Sequence, residues 1–303
     1  MKVLLTGSNG FVGRKLLHFL VQTGSYTITA SSRQADAYPT DGYRFYPCEL
    51  SSKAEVEKML QRVQPELIIH TAALSSIPQC EEQPEQARLI NVESVKQLTN
   101  WCRTQGAKLI QFSTDFVFEG SARSPYTEND SPKPINTYGQ TKWEAEQYIL
   151  QKLSQSLIVR VVVVYGKPLP GQHSNIVELI LQKLHAQEPL QLAADQWRTP
   201  TYVEDICRAV HQLIQCQETG IYHLCGAEEV SIYELGKHIA DLVEVEQPLL
   251  EAVQSKPMES YPKRPSYTAL AITKAQEELG YRPTPLASYI KRRWAELQNN
   301  SQA

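Results

Sequence analysis

Several kinds of chemistry have no foothold in this sequence. The six cysteines (Cys48, Cys80, Cys102, Cys207, Cys216, Cys225) are scattered and never form a CxxC pair, so reduced thiols are expected. The seven histidines include no HExxH and no cysteine partner at zinc spacing, so neither a structural nor a catalytic metal site is expected. No apolar run approaches the roughly 20 residues that a membrane helix needs. The net charge is −3, and the only basic run, Lys291-Arg292-Arg293, reads as a solvated helix end, so no nucleic-acid partner is expected. Lys2-Val3-Leu4-Leu5 passes straight into a glycine turn, which argues against a secretory leader and for a cytoplasmic protein.

What is present is alternation. Val3-Leu4-Leu5 reads as a buried strand, and Val12, Leu16 and Leu20 then mark one face of a helix. Tyr26 to Ala30 is a second strand. Ser52 and Glu55 predict a capping box opening a helix with Val56, Met59, Leu60 and Val63 inward. Leu67-Ile68-Ile69 and Lys108 to Phe112 read as strands around a helix over Ala87 to Cys102. A helix over Tyr138 to Leu150 and a β-branched strand over Leu157 to Val164 follow. Strand–helix alternation at this spacing predicts an α/β fold, a doubly wound Rossmann-type parallel sheet with helices on both faces. The texture changes at the Gly- and Pro-rich stretch Gly166 to Gly171. Residues 1–165 with about 200–225 are assigned to the sheet domain, and about 166–199 with 226–303 to a smaller C-terminal lobe. That lobe includes a helix capped by Ser231 and Glu234 and an irregular loop around Pro257, Pro262 and Pro265.

Gly7, Gly10 and Gly13 form GxxGxxG between the first strand and the first helix, the context a dinucleotide pyrophosphate requires. Glycine lets the phosphates approach the backbone, and the helix N-terminus offers free N–H groups and the positive end of its dipole. The end of the second strand reads Ser31-Ser32-Arg33, with no acid until Asp36. Ser32 and the Arg33 fork suit a 2′-phosphate, which favours NADP over NAD.

Tyr138 and Lys142 form YxxxK, which puts a phenol and an ammonium on one helical face. Reduction of a ketone leaves an oxyanion that needs a proton, and Tyr138 is expected to give it, as the base in the reverse direction. Lys142 is expected to depress the phenol; lowering it by ~3 pH units takes about 4 kcal/mol of differential interaction, so the two must be close. Thr114, where the strand ending Ser113-Thr114-Asp115 meets the ligand crevice, is expected to hydrogen-bond and polarise the carbonyl.

With those residues in place the chain resembles the extended short-chain dehydrogenase/reductases and, more narrowly, the dTDP-4-dehydrorhamnose reductase family, which also contains the regulatory subunit of methionine adenosyltransferase. The likeness runs from Gly7-Ser8-Asn9-Gly10-Phe11-Val12-Gly13 through Thr71-Ala72-Ala73, Ile90-Asn91-Val92, Ser113-Thr114-Asp115-Phe116-Val117-Phe118 and Tyr138-Gly139-Gln140-Thr141-Lys142. It continues to Pro200-Thr201-Tyr202-Val203-Glu204-Asp205 and Arg264-Pro265. The resemblance implies a catalytic group of Thr114, Tyr138 and Lys142. It implies cofactor contacts from the glycine turn with Phe11 and Val12, from Ala72 and Ala73, and from Glu49 and Leu50, where Glu replaces the usual Asp. It also implies a nucleotide-sugar site in the C-terminal lobe. Asp115, Arg198 and Arg264 are the candidates for substrate contact, the arginines through bidentate bonds to a pyrophosphate. Three departures bear on the substrate: Val163 stands where the family carries Trp, Tyr267-Thr268 and Ala271 replace Asn-Ser and Asp, and Arg198-Thr199 replaces small residues. The resemblance therefore implies a carbonyl reductase, with a 4-keto nucleotide sugar as substrate. A nucleotide-sugar epimerase and a non-catalytic NADP-binding subunit remain as alternatives. Phe116 after the Thr-Asp pair argues against a dehydratase. A homodimer is expected on base rate alone.

Overall fold

A computed structural model describes residues 1–172, 174–255 and 263–300. The apolar runs form a wholly parallel seven-stranded sheet. Its strands are β1 (Lys2–Thr6), β2 (Thr27–Ser32), β3 (Tyr43–Pro47), β4 (Leu67–His70), β5 (Lys108–Thr114) and β6 (Ser156–Val161), with Gly220–His223 at one edge. The order is Gly220–His223, β6, β5, β4, β1, β2, β3. The strand order reverses between β1 and β4, which opens a crevice at the carboxyl ends of those strands.

Both sheet faces are covered, as unbroken apolar strands require. On β1, Val3 and Leu5 join one core with Leu16, Leu20 and Val210, whereas Leu4 joins another with Val56, Ile68, Val95 and Ile158. Val3, Leu4 and Leu5 are wholly buried, and each contributes about 1.5–3 kcal/mol by leaving water. A third core gathers Val177, Ile180, Leu184, Leu192, Leu235, Ile239 and Ile290, away from the sheet. The helix Ile232–Leu242 starts at the expected capping box, with Ser231 and Glu234 each bonding the other's backbone N–H. Among the described residues, no helix is long and apolar enough to cross a membrane.

Four local expectations change. The strand β3 was not anticipated; it is a half-buried edge strand whose Tyr-Arg-Phe-Tyr pattern carries few aliphatic residues. At Ser52, half the capping box forms: Ser52 accepts from the Glu55 N–H, but the Glu55 carboxylate accepts from the Glu49 N–H (2.8 Å). The single helix expected over Ala87 to Cys102 is a short helix Pro84–Arg88, one π-turn Leu89–Glu93 and a helix Ser94–Gln105. The strand expected to run to Val164 stops at Val161, because Val163 adopts φ +38°, strained backbone for a β-branched residue. Of the proline-rich loop, Pro257 and Pro262 lie outside the described residues.

Candidate active site

The crevice is a cavity of about 830 Å³. One wall is the glycine turn. Gly7 sits at φ +79°, and a Cβ there would lie 2.6 Å from the Ala72 backbone N; a Cβ on Gly13 would lie 2.2 Å from the Gly7 carbonyl oxygen. The turn is therefore pressed against both its own helix and the loop after β4, and only glycine permits that. The helix Phe11–Gln22 begins with no side-chain cap and no acidic residue in its first turn, so its leading N–H groups face the cavity without an internal acceptor. These features fit a pyrophosphate at the turn.

Gly7, Gly10, Phe11, Val12, Gly13, Ser32, Arg33, Glu49, Leu50, Ala72 and Ala73 all line this cavity, and so do Thr114, Asp115, Tyr138, Lys142 and Arg264. The Ser32 hydroxyl accepts from the Asn9 N–H (3.0 Å), so it braces the turn from below. Arg33 is exposed and lies 3.9 Å from the Glu49 carboxylate, whose other oxygen accepts from the Ser51 N–H and hydroxyl. The loop after β4 and the helix that carries Tyr138 and Lys142 are coupled through a residue whose role went unread. Asn91, in the π-turn, takes the Leu74 N–H (2.8 Å) and gives its amide hydrogens to the Leu74 carbonyl and the Thr141 hydroxyl (3.0 Å each). Its signal in the sequence was the Ile90-Asn91-Val92 triplet, which gave no warning of the π-turn that re-aims it.

Tyr138 and Lys142 are placed by the start of the helix Thr137–Lys152. Asn136 caps it by accepting from the Gly139 N–H (2.8 Å), and Glu81 takes the Thr137 N–H (2.7 Å). A Cβ on Gly139 would stand 2.1 Å from the Phe116 carbonyl oxygen, so glycine lets this helix press directly on the turn after β5. Tyr138 thereby meets Phe116 edge-on (6.3 Å between centroids) with the Thr114 hydroxyl as its hydrogen-bonding neighbour. Burial pushes the Lys142 ammonium down to about 8, against the opposing pull of Glu146 one turn on. Burial also pushes the Tyr138 phenol above its ordinary range, and the Asp115 charge adds to that; the expected depression by Lys142 does not appear. His70, at the end of β4, is held neutral by burial and by the Lys142 charge, with its Nδ1 against the Thr6 hydroxyl (2.6 Å).

Thr114 and Arg198 both have partners within the protein. Thr114 gives its one hydroxyl hydrogen to the Asp115 carboxylate (3.0 Å) and accepts from the Phe116 N–H (3.2 Å). The hydroxyl rotates about its C–O bond, so Thr114, which lines the cavity, can turn the same hydrogen to an oxygen there. Arg198 does not reach the cavity. It is 2% exposed, with Nη1 bonded to the Trp197 carbonyl (2.7 Å) and Nη2 to the Pro265 carbonyl (2.7 Å). Its Nε lies 3.5 Å from Asp115 Oδ2, and its guanidinium stacks over Phe116 (5.5 Å to the centroid). A buried guanidinium needs acceptors on every side, and the backbone supplies them here.

A glycine turn at a switch point, opposite a Tyr–Lys pair one helical turn apart, defines a nicotinamide-dependent oxidoreductase of the extended short-chain dehydrogenase/reductase class. Comparison with known proteins narrows that class. The chain belongs to the family described as RmlD substrate binding domain, whose model matches residues 1–299. It is 29% identical to a dTDP-4-dehydrorhamnose reductase of Aggregatibacter actinomycetemcomitans, over 96% of this chain and 97% of that protein. It is equally identical to methionine adenosyltransferase 2 subunit beta of Xenopus laevis, over 97% of this chain and 90% of that protein. The crystal structure of dTDP-4-dehydrorhamnose reductase from Bacillus anthracis in complex with NADP superposes with a TM-score of 0.79 at 26% identity, covering 97% of this chain and 99% of that one.

Proposed function

We propose that this protein is an NADP(H)-dependent reductase that converts a 4-keto nucleotide sugar into the corresponding alcohol. The observation that carries the reading is the pairing of half-buried Tyr138 with buried Lys142, one helical turn apart, on the wall of the same cavity that the glycine turn lines. The cofactor, when bound, supplies the hydride. Gly7, Gly10 and Gly13 with the helix N-terminus would hold its pyrophosphate, and Ser32 and Arg33 its 2′-phosphate. Glu49, Leu50, Ala72 and Ala73 would line its nucleoside portions.

The chain's own residues manage the proton. Tyr138, kept protonated by burial, gives its hydrogen to the substrate oxygen as negative charge develops there. Lys142, on the same helical face and the same cavity wall, is a cation below about pH 8. Thr114, the hydrogen-bonding neighbour of the phenol on the same cavity wall, would hydrogen-bond and polarise the substrate carbonyl. The third core is proposed as the substrate lobe, with Arg264 at the cavity as its charged contact.

The test is consumption of NADPH by the purified protein with dTDP-4-dehydrorhamnose and with other 4-keto nucleotide sugars, for wild type and Tyr138→Phe. Turnover that Tyr138→Phe abolishes, with cofactor affinity retained, supports the reading. Tight NADPH binding without turnover of any such sugar would move the protein to the non-catalytic subunits of its family.

A further inference from the structure

Arg14, one residue past the last glycine of the turn, is 4% exposed, yet it does not line the cavity. Its Nη1 donates to Asp36 Oδ1 (3.2 Å) and to the Tyr43 hydroxyl (3.1 Å). Its guanidinium also lies over the rings of Tyr38 and Tyr43, 5.1 and 5.8 Å from their centroids. Asp36 is satisfied from within the protein. Its Oδ1 also accepts from the Tyr38 N–H (3.1 Å), and its Oδ2 accepts from the Tyr43 hydroxyl. The segment on either side of Asp36 is fastened to the glycine turn: the Asn9 amide donates to the Ala35 carbonyl (2.8 Å), and Asn9 Oδ1 accepts from the Ala37 N–H (3.2 Å).

Asp36 is the first acid after β2, the region where dinucleotide-binding sheets place the acid that takes the ribose hydroxyls of NAD. Ser31, Ser32, Arg33 and Gln34 line the cavity, whereas Asp36, two residues further on, does not. A free carboxylate in that segment would accept from a ribose hydroxyl and repel a 2′-phosphate; one already filled by donors and balanced by a guanidinium does neither. We propose that Arg14 and Tyr43 are specificity-determining residues: by holding Asp36 as a satisfied, charge-paired carboxylate outside the cavity, they leave the segment to Ser32 and Arg33 and so select NADPH over NADH. This rests on the nicotinamide-cofactor reading of the cavity and deepens it, and it concerns binding, not turnover.

Arg33 and Glu49 face each other at 3.9 Å, so Arg14 is the cation that balances Asp36. Without Arg14 the segment carries an unbalanced negative charge. Beside a phosphate, at a dielectric between those of protein and water, one such charge changes affinity by about tenfold.

The experiment is calorimetric titration of the full chain with NADPH and with NADH, as wild type, Arg14→Met, Tyr43→Phe and the double variant Arg14→Met/Asp36→Asn. Wild type should bind NADPH the more tightly. Arg14→Met should lower the ratio of the two affinities about tenfold, mainly through weaker NADPH binding, and the shift should shrink at high salt. Removing the carboxylate as well, in the double variant, should restore the preference for NADPH. A merely structural role would weaken both dinucleotides alike, and a second change in the same cluster would not reverse it. If Arg14→Met does not fold, Tyr43→Phe decides: it removes the donor to Oδ2 with little change of shape and should lower the ratio about threefold. An unchanged ratio in the deciding variant overturns the proposal, and so does a shift that the double variant keeps or a wild type without preference for NADPH. Wild type that binds neither dinucleotide overturns the cofactor reading and the proposal with it. NADPH bound in this pattern without turnover of any keto sugar upholds the proposal and removes the reductase reading.

Discussion

Lys142 is a stability liability, and its removal should show it. The ammonium is buried, and its pKa falls from 10.5 to about 8 in the folded chain. The unfolded chain therefore binds the proton more tightly over that interval, so unfolding is favoured by proton uptake and stability rises with pH from about 8 to 10.5. Below pH 8 the folded protein carries the whole penalty of a buried cation, about 3 kcal/mol at 1.4 kcal/mol per pH unit. Lys142→Met keeps the length and apolar stem of the side chain while removing the charge. At pH 7 it should raise stability by up to about 3 kcal/mol while abolishing turnover. Urea denaturation from pH 7 to 10, followed by circular dichroism, reads both expectations. Wild type should gain about 2 kcal/mol between pH 8 and 9.5, and Lys142→Met should lack that gain. A variant less stable than wild type at pH 7, or an unchanged gain above pH 8, would refute the reasoning.

Two further outcomes are expected. Arg160 and Glu146, both essentially fully buried, join β6 to the catalytic helix through two bonds (2.6 and 3.1 Å). Glu146→Gln or Arg160→Met alone should lose about 3–5 kcal/mol in urea denaturation, because each leaves a buried charge unpaired, and the double variant should lose much less than the sum. At the adenosine end, Glu49 stands within 3.9 Å of Arg33 and competes with any phosphate for it. Glu49→Gln should raise NADPH affinity several-fold relative to NADH in calorimetric titration, and Arg33→Ala should reverse that preference.

The parts of the site made by local backbone rules were legible in the sequence. A glycine turn needs only its neighbours, and Tyr138 and Lys142 share a face because a helix has 3.6 residues per turn. What escaped depended on partners far along the chain. Arg198 looked like a phosphate ligand because a lone arginine near a lobe boundary has no partner in the sequence. Its acceptors, Asp115 and the carbonyls of Pro265 and Ser266, lie at least 67 residues away. The edge strand β3 escaped because one paired neighbour, β2, suffices to define it without an aliphatic core pattern. The run of four valines read as an unbroken strand, yet Val163 bends, its carbonyl taken by the Thr201 N–H (3.2 Å). Propensity cannot report such a tertiary contact.

The placement of Gly220–His223 has a consequence for how the molecule is made. This strand is the edge neighbour of β6, yet about sixty residues separate the two along the chain, including the whole of the helices Ile176–Ala186 and Val203–Cys216. Parallel pairing across so long a loop is slow, because closure entropy is lost before any contact forms. During synthesis, β6 must therefore wait as an exposed apolar edge until that intervening chain has emerged. Aggregation and chaperone capture of nascent chains should thus concentrate in the interval between completion of β6 and arrival of Tyr222. A truncation ending at Val161 would hold the protein permanently in that vulnerable state.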